Sequence, residues 1–298
     1  MMVIWSLLRE RRLPSNDDAI KKVLKDLDIK CIMTDNLILI KLGGSLITDK
    51  NTPFTPRHDV INRLAKEIHE ARQEKKLKII VGHGGGSFPH KPAKDYRTNE
   101  GIVNGDSFKG ISLVQDAASK LNRIIVDALI DAGENAISVQ PSASLISENG
   151  RIKEWYLKPV TEMLKNDLLP VPYGDVSMDT KKGCCIISTE EILNYIAKHS
   201  SFKKIILAGI TNGVYEKDPT IYKDAKLIPE INSKNFEEIK KYLGGSTGID
   251  VTGGMLHRVT RIFELSKFGT ESIVMSGEIE GNLKRALLGE RVGTLMRL

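Results

Sequence analysis

Gly82-His83-Gly84-Gly85-Gly86 follows a short apolar run, Leu77-Lys78-Ile79-Ile80-Val81, and sets four glycines in five positions. Without Cβ atoms, their backbone N–H groups can approach an anion closely, as phosphate-binding loops require. His90, which closes Ser87-Phe88-Pro89-His90, adds a side chain able to donate a hydrogen bond to a phosphate resting there. This stretch is not a dinucleotide fingerprint, because Ser87 stands where a third glycine belongs, and the chain has no GxxxxGK[ST] loop. A second glycine pair, Gly43-Gly44-Ser45, ends the run Leu37-Ile38-Leu39-Ile40-Lys41-Leu42, which is apolar apart from Lys41; Lys50 lies just beyond. A lysine at the end of a buried strand is costly without an anionic partner, so Lys41 is expected to serve a ligand. The third loop, Thr252-Gly253-Gly254-Met255, opens an expected helix with Arg258 near its start. Backbone donors and the helix dipole favour phosphate at such a place.

The elements that must hold these loops follow from the apolar pattern. Continuous apolar runs at 37–42 and 77–81 indicate strands buried on both faces, as in a parallel sheet covered by helices. Helices are expected over 59–74, 106–131, 190–199, 235–243 and 282–288, and from Met255. Strands are expected at 136–139, 204–207, 272–275 and 293–296. The fold class is therefore α/β, an open three-layer αβα sandwich with a mainly parallel central sheet. Ligands of such sheets bind beyond the carboxyl ends of the strands, where the glycine loops fall. Periodicity breaks down over 143–182, apart from a hairpin turn at Glu148-Asn149-Gly150 and a strand from Leu168 into a loop. That region reads as an excursion that helps enclose a substrate. Residues 1–32 differ from the rest and read as an N-terminal appendage that need not be native, with Met33 a plausible start. Residues 33–298 form the main domain.

Composition narrows the function classes. The chain has 298 residues, 41% hydrophobic and 28% charged, with a net charge of +6. Lysines alternate with Glu and Asp, so most of the charge is solvated helix surface, and no aromatic-and-basic stripe indicates nucleic acid. Cys31, Cys184 and Cys185 have no metal-ligand spacing, and no metal-binding side chains are expected. Their small number suits a reducing cytoplasm. The opening run Met2-Val3-Ile4-Trp5-Ser6-Leu7-Leu8 is too short to span a membrane, and its arginines follow rather than precede it.

Lys41-Leu42-Gly43-Gly44-Ser45, Gly82-His83-Gly84-Gly85-Gly86, Gly213-Val214-Tyr215 with Asp218-Pro219, and Thr252-Gly253-Gly254-Met255 occur in that order. Together they resemble the amino acid kinase superfamily from residue 37 to the C terminus. Ile47-Thr48-Asp49-Lys50, His90 after Gly86-Ser87-Phe88-Pro89, and Tyr173-Gly174-Asp175-Val176 are similar to the isopentenyl phosphate kinases within it. The resemblance implies phosphorylation of isopentenyl phosphate by ATP with Mg2+, in a cytoplasmic homodimer. The acceptor would bind the N-terminal part and the nucleotide the C-terminal part. Lys41 and Lys50 would bracket the transferring phosphoryl group. Gly43, Gly44, Ser45 and Gly86 would hold ATP phosphates, while Gly85, His90 and Thr189 would face the acceptor. Thr211 or Asn212 and Gly213 would meet the base and ribose, with Gly254 and Arg258 beside the nucleotide phosphates.

Three departures from the pattern stand out. Arg258 replaces a lysine, a planar fork for a point charge. Ser188-Thr189-Glu190 stands for Ser-Gly-Asp, and Gly209-Ile210-Thr211-Asn212-Gly213 lacks an aspartate on the nucleotide side. Two alternatives stay open: another small acceptor, such as a phosphonate or an amino acid, or a nucleotide-binding regulatory module without catalysis.

Overall fold

A computed structural model of the protein describes residues 32–217, 219, 221–244, 259–260, 263 and 270–297. Strand β1 (Ile32–Leu42) leads through one helical turn, α1 (Gly44–Ile47), to α2 (His58–Glu74) and β2 (Lys78–His83). A short α3 (His90–Asp95) and a long α4 (Ser107–Asp131) follow, then β3 (Ala136–Val139), β4 (Leu145–Glu148) and β5 (Arg151–Trp155). Next come α5 (Lys158–Lys165), β6 (Leu169–Pro172), β7 (Asp175–Asp179), β8 (Gly183–Ile187) and α6 (Thr189–Lys198). The chain continues with β9 (Ser200–Gly209), β10 (Glu230–Ile231), α7 (Phe236–Gly244), β11 (Glu271–Ser276), α8 (Asn282–Leu288) and β12 (Thr294–Met296).

The central sheet has the order β10-β12-β11-β9-β1-β2 and is parallel except where β11 meets β12. The parallel pair β3–β6 continues it beyond β2 through a bridge between His83 and Tyr173. Alternation along β1 divides the core into two layers. Ile38, Ile40 and Leu42 pack among α2, α4 and α8, whereas Leu37 and Leu39 pack among α5, α6 and α7. Each fully buried Leu or Ile contributes roughly 1.5–3 kcal/mol, so burial on both faces makes β1 the axis of the domain. The three-layer αβα sandwich expected from the apolar runs is the observed architecture.

The excursion over 143–182 is more regular than its sequence suggests. It holds the hairpin β4–β5, the helix α5 and β7, and with β8 just beyond it forms a second sheet of order β5-β4-β7-β8. The hairpin turns at Asn149 and Gly150, with φ of 51° and 77°, a left-handed pair suited to a tight two-residue turn. The helix α5 was hidden because it has only 8 residues and opens on Lys158-Pro159. The first glycine loop also differs from expectation, since Gly44 already begins α1. Residues 1–31 of the expected appendage lie outside the described residues, and Ile32 is already part of β1, paired with Ser200. The helix expected from Met255 also falls mostly outside them, although Val259 and Phe263, one turn apart, are both buried. Among the described residues, no helix is long and apolar enough to cross a membrane.

Candidate active site

The carboxyl ends of β1 and β2 lie side by side, with Lys41 opposite Gly82 and Leu42 opposite His83. Both glycine loops therefore leave the sheet at the same point and pack backbone on backbone. A Cβ on Gly44 would stand 2.4 Å from Gly86 N, and one on Gly84 would stand 2.9 Å from Gly44 N. Thr48, fully buried, clasps the pair: its hydroxyl donates to Gly44 O at 2.8 Å and accepts the Ser87 N–H at 2.9 Å. Gly86 has a φ of +53°, and a Cβ there would fall 2.1 Å from Thr48 Oγ1. Only glycines permit this contact.

The loops form one side of a cleft of about 290 Å³. Lys41, Gly44, Ser45, Gly85, Gly86, His90 and Thr189 all line it, so the structure gathers these candidates from three separate stretches. Gly44 and Ser45 open α1, so their N–H groups have no place in its ladder. The N–H groups of Gly85 and Gly86 have no acceptor among the described residues. The backbone of both loops thus offers donors to an anion in the cleft. His90 stands at the start of α3, exposed on the same cleft.

Lys41 is mostly enclosed, with its side chain 12% exposed, and its ammonium bonds the Glu190 carboxylate. Glu190 sits in the first turn of α6, whose N-cap Ser188 accepts the Glu191 N–H at 3.2 Å. The segment that departs from Ser-Gly-Asp therefore supplies a helix cap and the anionic partner that a buried lysine needs. Thr189 is buried, and its hydroxyl donates to His83 O at 2.5 Å, so it ties α6 to the end of β2. Asp175 also lines the cleft, where burial pushes its carboxyl above the ordinary range against hydrogen bonds from Ser142 and Val176.

Another part of the cleft lining is apolar. Ala93 and Val114 from α3 and α4 face Ile186 and Ile187 from β8. Behind them Val176 and Cys184 complete a small apolar cluster. An anion-binding floor with an apolar wall suits a ligand that carries a phosphate on a short hydrocarbon.

The amino acid kinase family profile matches residues 36–276. The chain belongs to the amino acid kinase family. An isopentenyl phosphate kinase of Methanocaldococcus jannaschii is 36% identical over 87% of this chain and 97% of its own length. One from Methanothermobacter thermautotrophicus is 34% identical over 86% and 97%. A solved isopentenyl phosphate kinase structure is 30% identical and superimposes with a TM-score of 0.75, over 88% of this chain and all of its own.

Other motif residues of this chain stand outside the cleft lining. Gly43 spends its N–H on Ala208 O at 2.8 Å, so it joins α1 to β9. Lys50 is exposed in the bend that follows the Thr48–Pro56 bridge and does not line the cleft. Thr211, Asn212 and Gly213 follow β9 at the carboxyl edge of the central sheet, with Gly213 buried at a φ of +143° against Thr294. Gly254 and Arg258 lie outside the described residues. Sequence reasoning missed the apolar wall, the pairing of Lys41 with Glu190, and the Thr48 clasp. Of these, only the clasp left a signal, in Thr48 directly after the first loop.

Proposed function

We propose that this chain is an isopentenyl phosphate kinase, which transfers the γ-phosphoryl group of ATP to isopentenyl phosphate and yields isopentenyl diphosphate and ADP. The observation that carries the reading is the cleft itself, where free backbone donors, Lys41 and His90 face an apolar wall of Val114, Ile186 and Ile187. The relatives and the solved neighbour named isopentenyl phosphate kinase support it.

On this reading the acceptor phosphate rests against Gly85 and His90, with its hydrocarbon tail on the apolar wall. A phosphate monoester has its second pKa near ~6, so at neutral pH it is a dianion and needs no general base. One of its oxygens forms a bond to the γ-phosphorus while the bond from that phosphorus to the β,γ-bridging oxygen breaks, leaving the electron pair on ADP. The chain's task is to bring two anions together, which is positioning and charge stabilisation. Lys41, oriented by Glu190, and the N–H groups of Gly44, Ser45 and Gly86 meet the nucleotide phosphates. Lys50 reaches in on its flexible stem, and Thr211, Asn212, Gly213, Gly254 and Arg258 serve the nucleotide from the C-terminal part.

Magnesium bound with ATP would supply positive charge against the charge on the transferring phosphoryl group. Among the described residues the cleft carboxylates are engaged, Glu190 by Lys41 and Asp175 by Ser142 and Val176, so the ion would be held chiefly through the nucleotide it accompanies. The buried free thiols of Cys184 and Cys185 suit a reducing cytoplasm, and the resemblance supports a homodimer, which sedimentation velocity would check. Phosphorus NMR of the enzyme with ATP, Mg2+ and isopentenyl phosphate tests the function. Paired diphosphate resonances from the acceptor are expected, and ATP hydrolysis to free phosphate alone would refute it.

A further inference from the structure

His83 is the one residue with a side chain in Gly82–Gly86, yet its ring does not face the cleft. It lies behind the loop, 1% exposed, stacked on Tyr173 with ring centroids 5.5 Å apart and planes 10° from parallel. Asn122 of α4, also 1% exposed, brings its amide nitrogen 3.1 Å from Val171 O and 3.1 Å from His83 Nε2. A carbonyl only accepts, so the amide group here must be the NH2, and His83 Nε2 must accept its second hydrogen. The ring proton then resides on Nδ1, which donates to Gly84 O at 3.2 Å. Burial keeps the ring neutral, with its pKa pushed down to about 4, so this tautomer persists at neutral pH.

The Gly84 carbonyl therefore points to a buried donor, while the Gly84 N–H is spent on Leu42 O at 2.9 Å. In a planar trans peptide the carbonyl and the following N–H point in opposite directions. Holding Gly84 O against the ring turns the Gly85 N–H the other way. That N–H is one of the two donors of the loop that have no acceptor among the described residues, and Gly85 lines the cleft.

We infer that His83 is a positioning residue for the acceptor phosphate: its ring holds the Gly84–Gly85 peptide so that the Gly85 N–H faces the cleft, and Asn122 holds the ring. Glycines give the loop its close approach to an anion but also leave it conformationally free. A loop of glycines needs a fixed partner outside itself, and His83 supplies one from within the motif. The inference rests on the acceptor reading above.

His83→Phe keeps the volume and the stacking on Tyr173 but loses the donor. With isopentenyl phosphate varied at saturating ATP, the variant's acceptor KM should rise about tenfold, the loss of one donor to a charged group, while the ATP KM stays within about twofold. His83→Asn places an N–H close to the Nδ1 position and should recover most of the loss. Asn122→Leu leaves the tautomer unfixed and should raise the acceptor KM by a smaller factor. An acceptor KM unchanged in folded His83→Phe, or both KM values raised equally, overturns the inference while wild-type turnover keeps the acceptor reading intact. A wild type that does not phosphorylate isopentenyl phosphate overturns both. Should His83→Phe fail to fold, Asn122→Leu decides, and an unchanged acceptor KM there overturns the inference.

Discussion

His90 and Lys41 meet the cleft in different ways. Lys41 is enclosed and paired with Glu190, whereas His90 is exposed and has no hydrogen-bond partner among the described residues. A side chain left free at the mouth of a cleft costs little to hold and can engage a ligand directly. His90→Ala should raise the acceptor KM or lower kcat/KM at least about tenfold, since a hydrogen bond to a charged group is worth about 1.5–3 kcal/mol. ATP affinity should barely change, and His90→Gln should restore part of the loss through its neutral donor. Steady-state kinetics in each substrate separately would check this. The two residues also differ from Glu190 in how far the sequence reveals them. Lys41 interrupting an apolar run and His90 closing a glycine loop are legible because their anomaly is local. Glu190 as the partner of Lys41 is not, since the two are 149 positions apart and meet only when α6 docks on the sheet.

The two glycine loops act as one element once packed. Gly44→Ala would drive a Cβ to 2.4 Å from Gly86 N and 2.6 Å from Gly86 Cα, and neither backbone atom can yield without displacing its loop. We expect a loss of roughly 1–3 kcal/mol in stability together with a fall in kcat/KM for both substrates. Gly105→Ala, where a Cβ would meet nothing within 4 Å, should change neither. Thermal melts and kinetics of the pair give the comparison. The second sheet has its own organiser in Asp179, which accepts N–H groups of Asn149, Gly150, Lys181 and Lys182 and so ties the β4–β5 turn to the β7–β8 turn. Burial opposes its ionisation, but these bonds together outweigh that and hold its carboxyl well below the usual range. Its stabilisation is complete above the unfolded value near ~3.9 and is lost as pH falls toward the folded one. Asp179→Asn should therefore melt lower than wild type at pH 7, and the gap should narrow as the pH is taken below about 4. A gap independent of pH would show that the carboxylate charge contributes nothing. Only the β4–β5 hairpin and a strand near Cys184-Cys185 were legible in this sheet, because short strands with mixed polarity pair by tertiary contact rather than by a strong period of their own.

For the molecule as a whole, the runs at β1 and β2 foretold a sheet covered on both faces, and the division of β1 between two helical layers bears that out. The strand ends then dictate where a ligand binds. What the runs could not disclose is the apolar part of the cleft lining, because Ala93, Val114, Ile186 and Ile187 come from three elements and each is an ordinary core residue in its own stretch. On the proposed function, this apolar lining and the backbone donors of the loops together select a phosphate on a short hydrocarbon. The most direct measurement compares kcat/KM for isopentenyl phosphate, isopentenol, glutamate and inorganic phosphate under saturating ATP and Mg2+. Isopentenyl phosphate should exceed each of the others by at least about 10²-fold, since isopentenol leaves the loop donors unpaired and inorganic phosphate leaves the apolar lining bare. A higher kcat/KM for glutamate, or equal turnover of inorganic phosphate, would contradict it.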